Sequence, residues 1–248
     1  MSQTLAEKTK PYTIQDARVD LAAAHRLAVR DQLHEGTWNH LSLTVPGEPD
    51  KILITPEVCH WSQITASSLA VVGPDEDVEH MQATNEHLWV GYRIHYPLHQ
   101  ARPDAACVLH AHPPYATALT MIEDGVLEWA EQNSLEFYGR VAYNDRYDSG
   151  VPVGLDQGEE MAAFLGPDAI LLFLRNHGVV VVGPTVAIAY TNLYLLERYC
   201  HVQYLAKTMG KLVPIPEDRR GGGGDTFKTQ HFAAMKRVLD KEEPDYAS

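Results

Sequence analysis

The stretch "CVLHAHPPYATAL", residues 107–119, combines a short apolar run, two histidines one residue apart and a pair of prolines. The apolar run is rich in residue types that are usually buried, which predicts a central strand, and a proline in the first turn is typical of a helix that follows. Side chains two residues apart on a strand point to the same face. His110 and His112 are therefore predicted to provide two ligands to one metal ion at a strand end.

A third ligand is needed, because Zn, Mn or Fe sites usually take three protein ligands and leave the remaining positions to water or substrate. His177 is the best candidate, since it lies between two very apolar runs in "AILLFLRNHGVVVVG", residues 169–183. Gly178 directly after it is expected to let the backbone turn sharply, and Asn176 is expected to orient the ring. The chain has thirteen histidines, so spacing alone also leaves open that these are ordinary surface or hydrogen-bonded residues.

Patterns elsewhere in the chain predict alternating helices and strands. Apolar residues at helical spacing predict helices over 13–33, 82–101, 154–166 and 184–210, and alternating or apolar runs predict strands over 41–47, 51–55, 68–73 and 137–143. The run "GGGG", 221–224, predicts a flexible linker before a short tail helix. The predicted organisation is one domain over 1–214, followed by a linker and tail over 215–248.

Composition narrows the classes of partner. The chain has 248 residues with 20 Lys plus Arg against 33 Asp plus Glu, a formal charge of −13, which repels nucleic acid and anionic membrane surfaces. Three cysteines without metal-type spacing indicate reduced thiols. Neither an apolar leader segment nor a run of about 18 apolar residues is visible. These features lead us to expect a cytoplasmic protein with neither a nucleic-acid nor a membrane partner.

Two motifs together resemble the class II aldolase/adducin family: "ARPDAACVLHAHPPYATAL", residues 101–119, and "LLFLRNHGVVVVGPTVAIAY", residues 171–190. The resemblance covers roughly residues 13–212. It implies a single α/β domain of three layers, in which a mainly antiparallel sheet lies between helices. It also implies that His110, His112 and His177 hold one divalent ion, Zn, Mn or Fe, and that the chain forms a homo-oligomer, since relatives form cyclic tetramers.

The chain departs from the sugar-phosphate aldolases of this family at two places. Their metal-binding, proton-exchanging glutamate, nineteen residues before the first metal histidine, corresponds to Gly91 here. Their phosphate-binding elements correspond to "NHLS" with His40, "ITPEV" with Glu57, and "LWVG". A carboxylate such as Glu57 beside a desolvated phosphate dianion would repel it by on the order of several kcal/mol. A small anionic substrate without a phosphate is therefore expected.

A metal triad without the glutamate favours a lyase that cleaves a carbon–carbon bond, by decarboxylation or retro-aldol cleavage, of an oxo or aromatic acid. The substrate-binding candidates are Arg93, His40, Glu57 and Asn176. Arg93 could bind a substrate carboxylate, or be an exposed helix cation. The candidate proton donors, each of which could equally be structural, are Tyr115, His95, Glu86 and Tyr138.

Two other functions remain open from the sequence. Three neutral imidazoles can also hold Fe(II) in an oxygenase. Gly91 and its neighbours likewise resemble adducin, whose aldolase-like head is regarded as non-catalytic, so an interaction module is the third possibility.

Overall fold

One seven-stranded sheet forms the centre of the protein in a computed structural model that describes residues 11–56, 58–147, 156–221 and 224–248. Its strand order is β3-β2-β1-β4-β7-β6-β5, and every neighbouring pair is antiparallel except β5 and β6. The strands are β1 His40–Val45, β2 Glu48–Ile54, β3 Ala70–Val72, β4 Cys107–Ala111, β5 Val141–Asn144, β6 Leu171–Leu174 and β7 Gly178–Gly183.

Helices cover both faces of this sheet. They are α1 Ile14–Arg30, α2 Val78–Thr84, α3 Glu86–Ala101, α4 Pro114–Thr120, α5 Asp156–Leu165, α6 Val186–Met209 and α7 Asp225–Glu242. On one face, α1 and α6 share an apolar core with side chains such as Leu41, Leu109 and Val181. On the other face, α3 and α5 pack against Val108 and Val180. The predicted three-layer α/β fold with a mainly antiparallel sheet is confirmed.

Strand β4 lies between β1 and β7 and brings three chain segments to one edge of the sheet. The antiparallel register pairs His40 with His110 and Ala111 with Val179. The edge where β4 ends is thus the edge where β1 and β7 begin. Side chains at the end of one strand and the beginnings of two others therefore meet there, although they are far apart in the sequence.

The helix predicted over 82–101 is interrupted at Asn85. The Asn85 amide donates to the Met81 carbonyl and closes α2, and its side-chain oxygen accepts from the Leu88 amide, 3.0 Å away, and opens α3. Apolar periodicity continues across the break, which is why the pattern alone predicts one helix. Because α3 begins at this cap, the cap sets which face of α3 is turned toward β1.

The C-terminal segment packs on the same core as the rest of the described chain. Phe232 and Leu239 of α7 and the following Tyr246 are buried in the core that α1 and α6 share. Arg26 of α1 forms ion pairs with Glu243 and Asp245, at 3.0 and 2.8 Å. Among the described residues, none of the helices combines the length and the apolar character needed to cross a membrane.

Candidate metal centre and its surroundings

Three imidazole rings converge at the sheet edge where β4 ends. One ligand atom each from His110, His112 and His177 lies within 4.8 Å of the other two. The ring centroids are 4.6 to 4.9 Å apart. The strand end and the turn before β7 thus bring together the three histidines that the sequence singled out.

His110 is the most buried of the three and is oriented by the neighbouring strand. Its Nδ1 lies 3.1 Å from the Val179 carbonyl oxygen, to which it donates. Burial lowers the pKa of His110 well below its usual value, and the nearby His177 and His112 lower it further. The ring is therefore neutral, and its Nε2 is the nitrogen with a free lone pair.

Glu35 orients His112. Its carboxylate oxygen accepts from His112 Nδ1 at 2.5 Å, which turns His112 Nε2 to within 3.2 Å of His110 Nε2. A carboxylate on the far nitrogen of a ligating histidine fixes the ring orientation and increases its basicity. The sequence analysis missed Glu35, because 77 residues separate it from His112 and no local pattern marks it.

His177 lies in a tight turn between β6 and β7, and the turn differs from the sequence-based expectation. The left-handed residue is Asn176, with a φ of 55°, and the His177 amide donates to the Leu174 carbonyl at 3.1 Å. Gly178 is needed for space instead: a Cβ there would lie 2.4 Å from His112 Cδ2 and 2.7 Å from the Ala111 carbonyl oxygen. Asn176 is exposed, and its established contribution is to the backbone of the turn.

The donor set fits a divalent transition metal. Two nitrogens that each lie about 2.0–2.1 Å from one tetrahedral zinc ion are about 3.3 Å apart, close to the 3.2 Å between the Nε2 atoms of His110 and His112. Neutral imidazole suits several transition metals, Zn and Fe among them. The residues present therefore fit such an ion without favouring one element.

A second group of histidines lies between α3 and β1, beside the triad. His40, paired with His110 across the strands, has its ring centroid 4.4 Å from that of His87 and 5.8 Å from that of His95. Burial lowers the pKa of His40 to about 3 and that of His95 well below its usual value. Ser42 Oγ lies 2.7 Å from both His95 Nδ1 and His99 Nε2.

His40 occupies the space in front of Gly91. A Cβ at Gly91 would lie 2.7 Å from His40 Cδ2 and 3.1 Å from Ile54 Cδ1. A side chain at position 91 and the observed His40 ring therefore exclude each other. The substrate-binding candidate His40 and the proton-donor candidate His95 are both buried and lie next to each other. Together they form a wall beside His110, the strand partner of His40.

The other sequence-predicted residues lie in different surroundings. Tyr115 stacks on His201, with centroids 3.9 Å apart, and Tyr138 packs edge-on against Trp129. Glu86 is exposed in the first turn of α3.

Two substrate-binding candidates need separate mention. Arg93 is buried rather than exposed, and its guanidinium lies 4.6 Å from the centre of the Trp89 ring. Glu57 lies outside the described residues.

Comparisons with known proteins show relatives in both sequence and fold. Residues 19–204 match the family described as "Class II Aldolase and Adducin N-terminal domain". A Caulobacter vibrioides relative whose name contains the words "aldolase class 2 protein" is 33% identical, covering 93% of this chain and 91% of its own. Alpha-adducin of Rattus norvegicus is 35% identical over 90% of this chain but only 33% of its own length. A crystal structure of an aldolase II superfamily protein from Pseudomonas syringae superposes with a TM-score of 0.81 at 31% identity, over 97% of this chain and 98% of that one.

Proposed function

Because the chain belongs to the class II aldolase and adducin family, we propose that it is a divalent-metal-dependent lyase. The proposed reaction cleaves a carbon–carbon bond of a non-phosphorylated oxo or aromatic acid, by decarboxylation or retro-aldol cleavage. The observation that carries the proposal is the convergence of His110, His112 and His177 within 4.8 Å. The Nδ1 atoms of His110 and His112 each donate to a protein oxygen. The Nε2 atoms of the two rings therefore face each other.

The residues around the triad support a substrate without phosphate. The wall beside His110 consists of His40 and His95, whose lowered pKa values keep them uncharged near neutral pH. A phosphate dianion is usually bound by cations or by several backbone amides, and neutral imidazoles supply neither. The room that a glutamate at position 91 would need is filled by His40, so a carboxylate acid–base group does not fit there.

A bound divalent ion would supply Lewis-acid chemistry, polarising an oxygen of the substrate. The three histidines would hold that ion. Val179 and Glu35 fix the orientation of the His110 and His112 rings. On the β1 side of the triad, His40 is buried beside His110. His95 lies beside His40, but its lowered pKa keeps it uncharged, so it is suited to hydrogen bonding rather than to donating a proton. Tyr115, Tyr138 and Glu86 are the remaining candidates for the proton donor.

The proposal is tested by metal content and product release. The purified chain is loaded with Zn, Mn or Fe, and release of carbon dioxide or aldehyde is followed with a panel of oxo and aromatic acids. Changing His110 to Ala should abolish both metal retention and product release, whereas changing the exposed His80 to Ala should affect neither. A metal-loaded chain that is inert toward the whole panel would count against the lyase.

The second candidate is a non-catalytic interaction module, favoured by the 35% identity to alpha-adducin. It predicts that His177→Ala leaves folding and partner binding intact and that the wild-type chain retains little metal. A true site should lose metal affinity by orders of magnitude on losing one ligand. An Fe(II) oxygenase uses the same donor set, and oxygen uptake by the iron-loaded chain distinguishes it from the lyase.

Two further properties are part of the proposal. Members of this family are often oligomers, and we propose a homotetramer, which sedimentation analysis can test. A cytoplasmic location is proposed from the thiols: Cys107 and Cys200 are buried and form no disulfide.

A further inference from the structure

Helix α3 and strand β1 face each other along a polar seam. The seam is formed on the helix by residues spaced four apart, His87, Gly91, His95 and His99, and on the strand by alternate residues, His40, Ser42 and Thr44. Positions four apart on a helix and two apart on a strand each lie on one face. One strip of mainly polar residues therefore lies between two apolar clusters, one that includes Leu98 and Val108 and another that includes Ile54 and Trp89.

The end of the seam far from the triad is fully hydrogen-bonded. Ser42 Oγ contacts His95 Nδ1 and His99 Nε2, each at 2.7 Å, and Thr44 Oγ1 lies 3.2 Å from His99 Nδ1. The single hydroxyl hydrogen of Ser42 donates to one ring, and its oxygen accepts from the other. This end needs no further partner.

The end of the seam beside the triad has few hydrogen bonds. Around His40, six buried nitrogen and oxygen atoms have no hydrogen-bond partner of acceptable geometry: both ring nitrogens of His40, both polar side-chain atoms of Asn39, which precedes it in the chain, and Nε2 of His87 and of His95. The backbone of His87 lies close to the His40 ring but does not reach such a geometry. Asn39 is 3% exposed and adopts a left-handed φ of 77°. Buried polar groups in proteins are almost always paired, so a concentration of unpaired ones marks a place where another molecule supplies the partners.

We propose that Asn39, His40, His87 and His95 form a subsite that binds a hydroxylated, uncharged part of the substrate, next to the atoms held by the metal triad. This proposal rests on the proposed lyase function for the reacting end of the substrate. Its position follows from the register, because His40 is the direct cross-strand partner of His110.

The chemistry of the unpaired atoms selects hydroxyl groups. A neutral imidazole carries one donor and one acceptor, and a carboxamide carries both kinds. Ionised phosphate and carboxylate groups only accept hydrogen bonds. They would leave the acceptor atoms of Asn39 and His40 unpaired, and their oxygen lone pairs would repel the lone pairs of these acceptors. A hydroxyl group donates and accepts at once, and two or three of them would satisfy the subsite.

Three 2-oxo acids with the same metal-binding head test the proposal by calorimetry on the full chain loaded with Mn²⁺. They are 2-oxopentanoate, 4,5-dihydroxy-2-oxopentanoate and the 5-phosphate of the latter. We expect the dihydroxy acid to bind at least about tenfold more tightly than the other two, since leaving buried partners unpaired costs that much or more. His40→Leu should remove the preference and leave the affinity for Mn²⁺ within about twofold.

The outcomes separate the subsite from the lyase. If the three acids bind equally, or the apolar or phosphorylated acid binds best, the subsite is wrong while the metal-binding head is supported. If none binds to the loaded chain, the oxo-acid substrate is wrong, and the subsite is then decided by a measurement without ligand.

That measurement compares thermal unfolding midpoints of the ligand-free chain. Unpaired groups that await a ligand contribute nothing to the free protein, so His40→Leu, and also Asn39→Gly at its positive φ, should keep or raise the midpoint. His99→Leu is the matched control on the hydrogen-bonded end, and it should lower the midpoint by at least about 3 °C, because Ser42 loses a partner. A large drop for both His40→Leu and Asn39→Gly would overturn the subsite, since these groups would then be structural.

Discussion

His40 and His110 are direct partners in the antiparallel register of β1 and β4, and both rings are buried on the face that α3 covers. One of them belongs to the histidine triad that could hold a metal ion, and the other fills the space in front of Gly91 on α3. Strand register therefore places the triad next to the histidine-lined seam. The residue at position 91 and the residue at position 40 are coupled by their shared space.

This coupling predicts a compensating pair of substitutions. Gly91→Glu alone should destabilise the chain, because its Cβ would lie 2.7 Å from His40 Cδ2. Adding His40→Asn, a smaller side chain, should recover at least about half of the lost stability. Urea unfolding of the wild type, both single variants and the double variant measures the interaction; additive effects would show that the two positions do not share space.

Removing the carboxylate that orients His112 should weaken metal binding without removing a ligand. For Glu35→Gln we expect a loss of about 10–100-fold in metal affinity, the usual effect of deleting such a partner, while the fold stays intact. Competition with a chromophoric chelator gives the affinity. Glu86→Gln, at an exposed carboxylate of α3, is the control and should be silent; an equal affinity in the Glu35 variant would refute the role of Glu35.

Gly178 should tolerate no side chain. Its Cβ would meet His112 Cδ2 at 2.4 Å and the Ala111 carbonyl oxygen at 2.7 Å. Gly178→Ala should therefore displace His112 and lower both metal affinity and the unfolding midpoint. Gly210→Ala is the matched control, since a Cβ there has nothing within 4 Å. Unchanged metal binding in the Gly178 variant would show that the close approach is absent in solution.

Buried neutral histidines predict loss of stability in mild acid. Burial lowers the pKa of His25 to about 4 and that of His99 to about 3, below the value near 6.5 expected for the unfolded chain. The unfolded state therefore binds more protons below pH 6.5. Each group should cost on the order of 1 kcal/mol of stability between pH 6.5 and 5.5, whereas stability above pH 7 should not depend on them.

Unfolding in urea at pH 7.5, 6.5 and 5.5 measures this dependence. His99→Gln should make the decline shallower, and a substitution of the exposed His80 should leave it unchanged. A free energy of unfolding that stays constant from pH 7.5 to 5.5 would contradict the burial of these rings.

Much of the fold follows from local patterns in the sequence. Alternation around the Pro46-Gly47 turn marks the β1–β2 hairpin, and the Thr13 cap with apolar spacing marks α1. The break at Asn85 escaped prediction, because a residue that caps two helices leaves the apolar period intact. The role of Gly178 escaped it too, since a close approach by His112 depends on how β4 and β7 pair.

The convergence of His110, His112 and His177 was the most predictable part of the candidate site. Their spacing and surrounding apolar runs mark a strand end and a turn, which is local information. Glu35 reaches His112 through the packing of distant segments. Tyr115 and Tyr138, although close to site-forming segments in sequence, pack against other aromatic rings. Nearness in sequence does not determine side-chain direction once the fold has formed.

X-ray absorption at the metal edge of the loaded full-length chain tests the central claim most directly. The triad predicts one ion per chain with three imidazole nitrogens at about 2.0–2.1 Å when the metal is zinc, and loss of one nitrogen, or of the ion, in His177→Ala. A spectrum without imidazole ligands, or one unchanged in that variant, would contradict it.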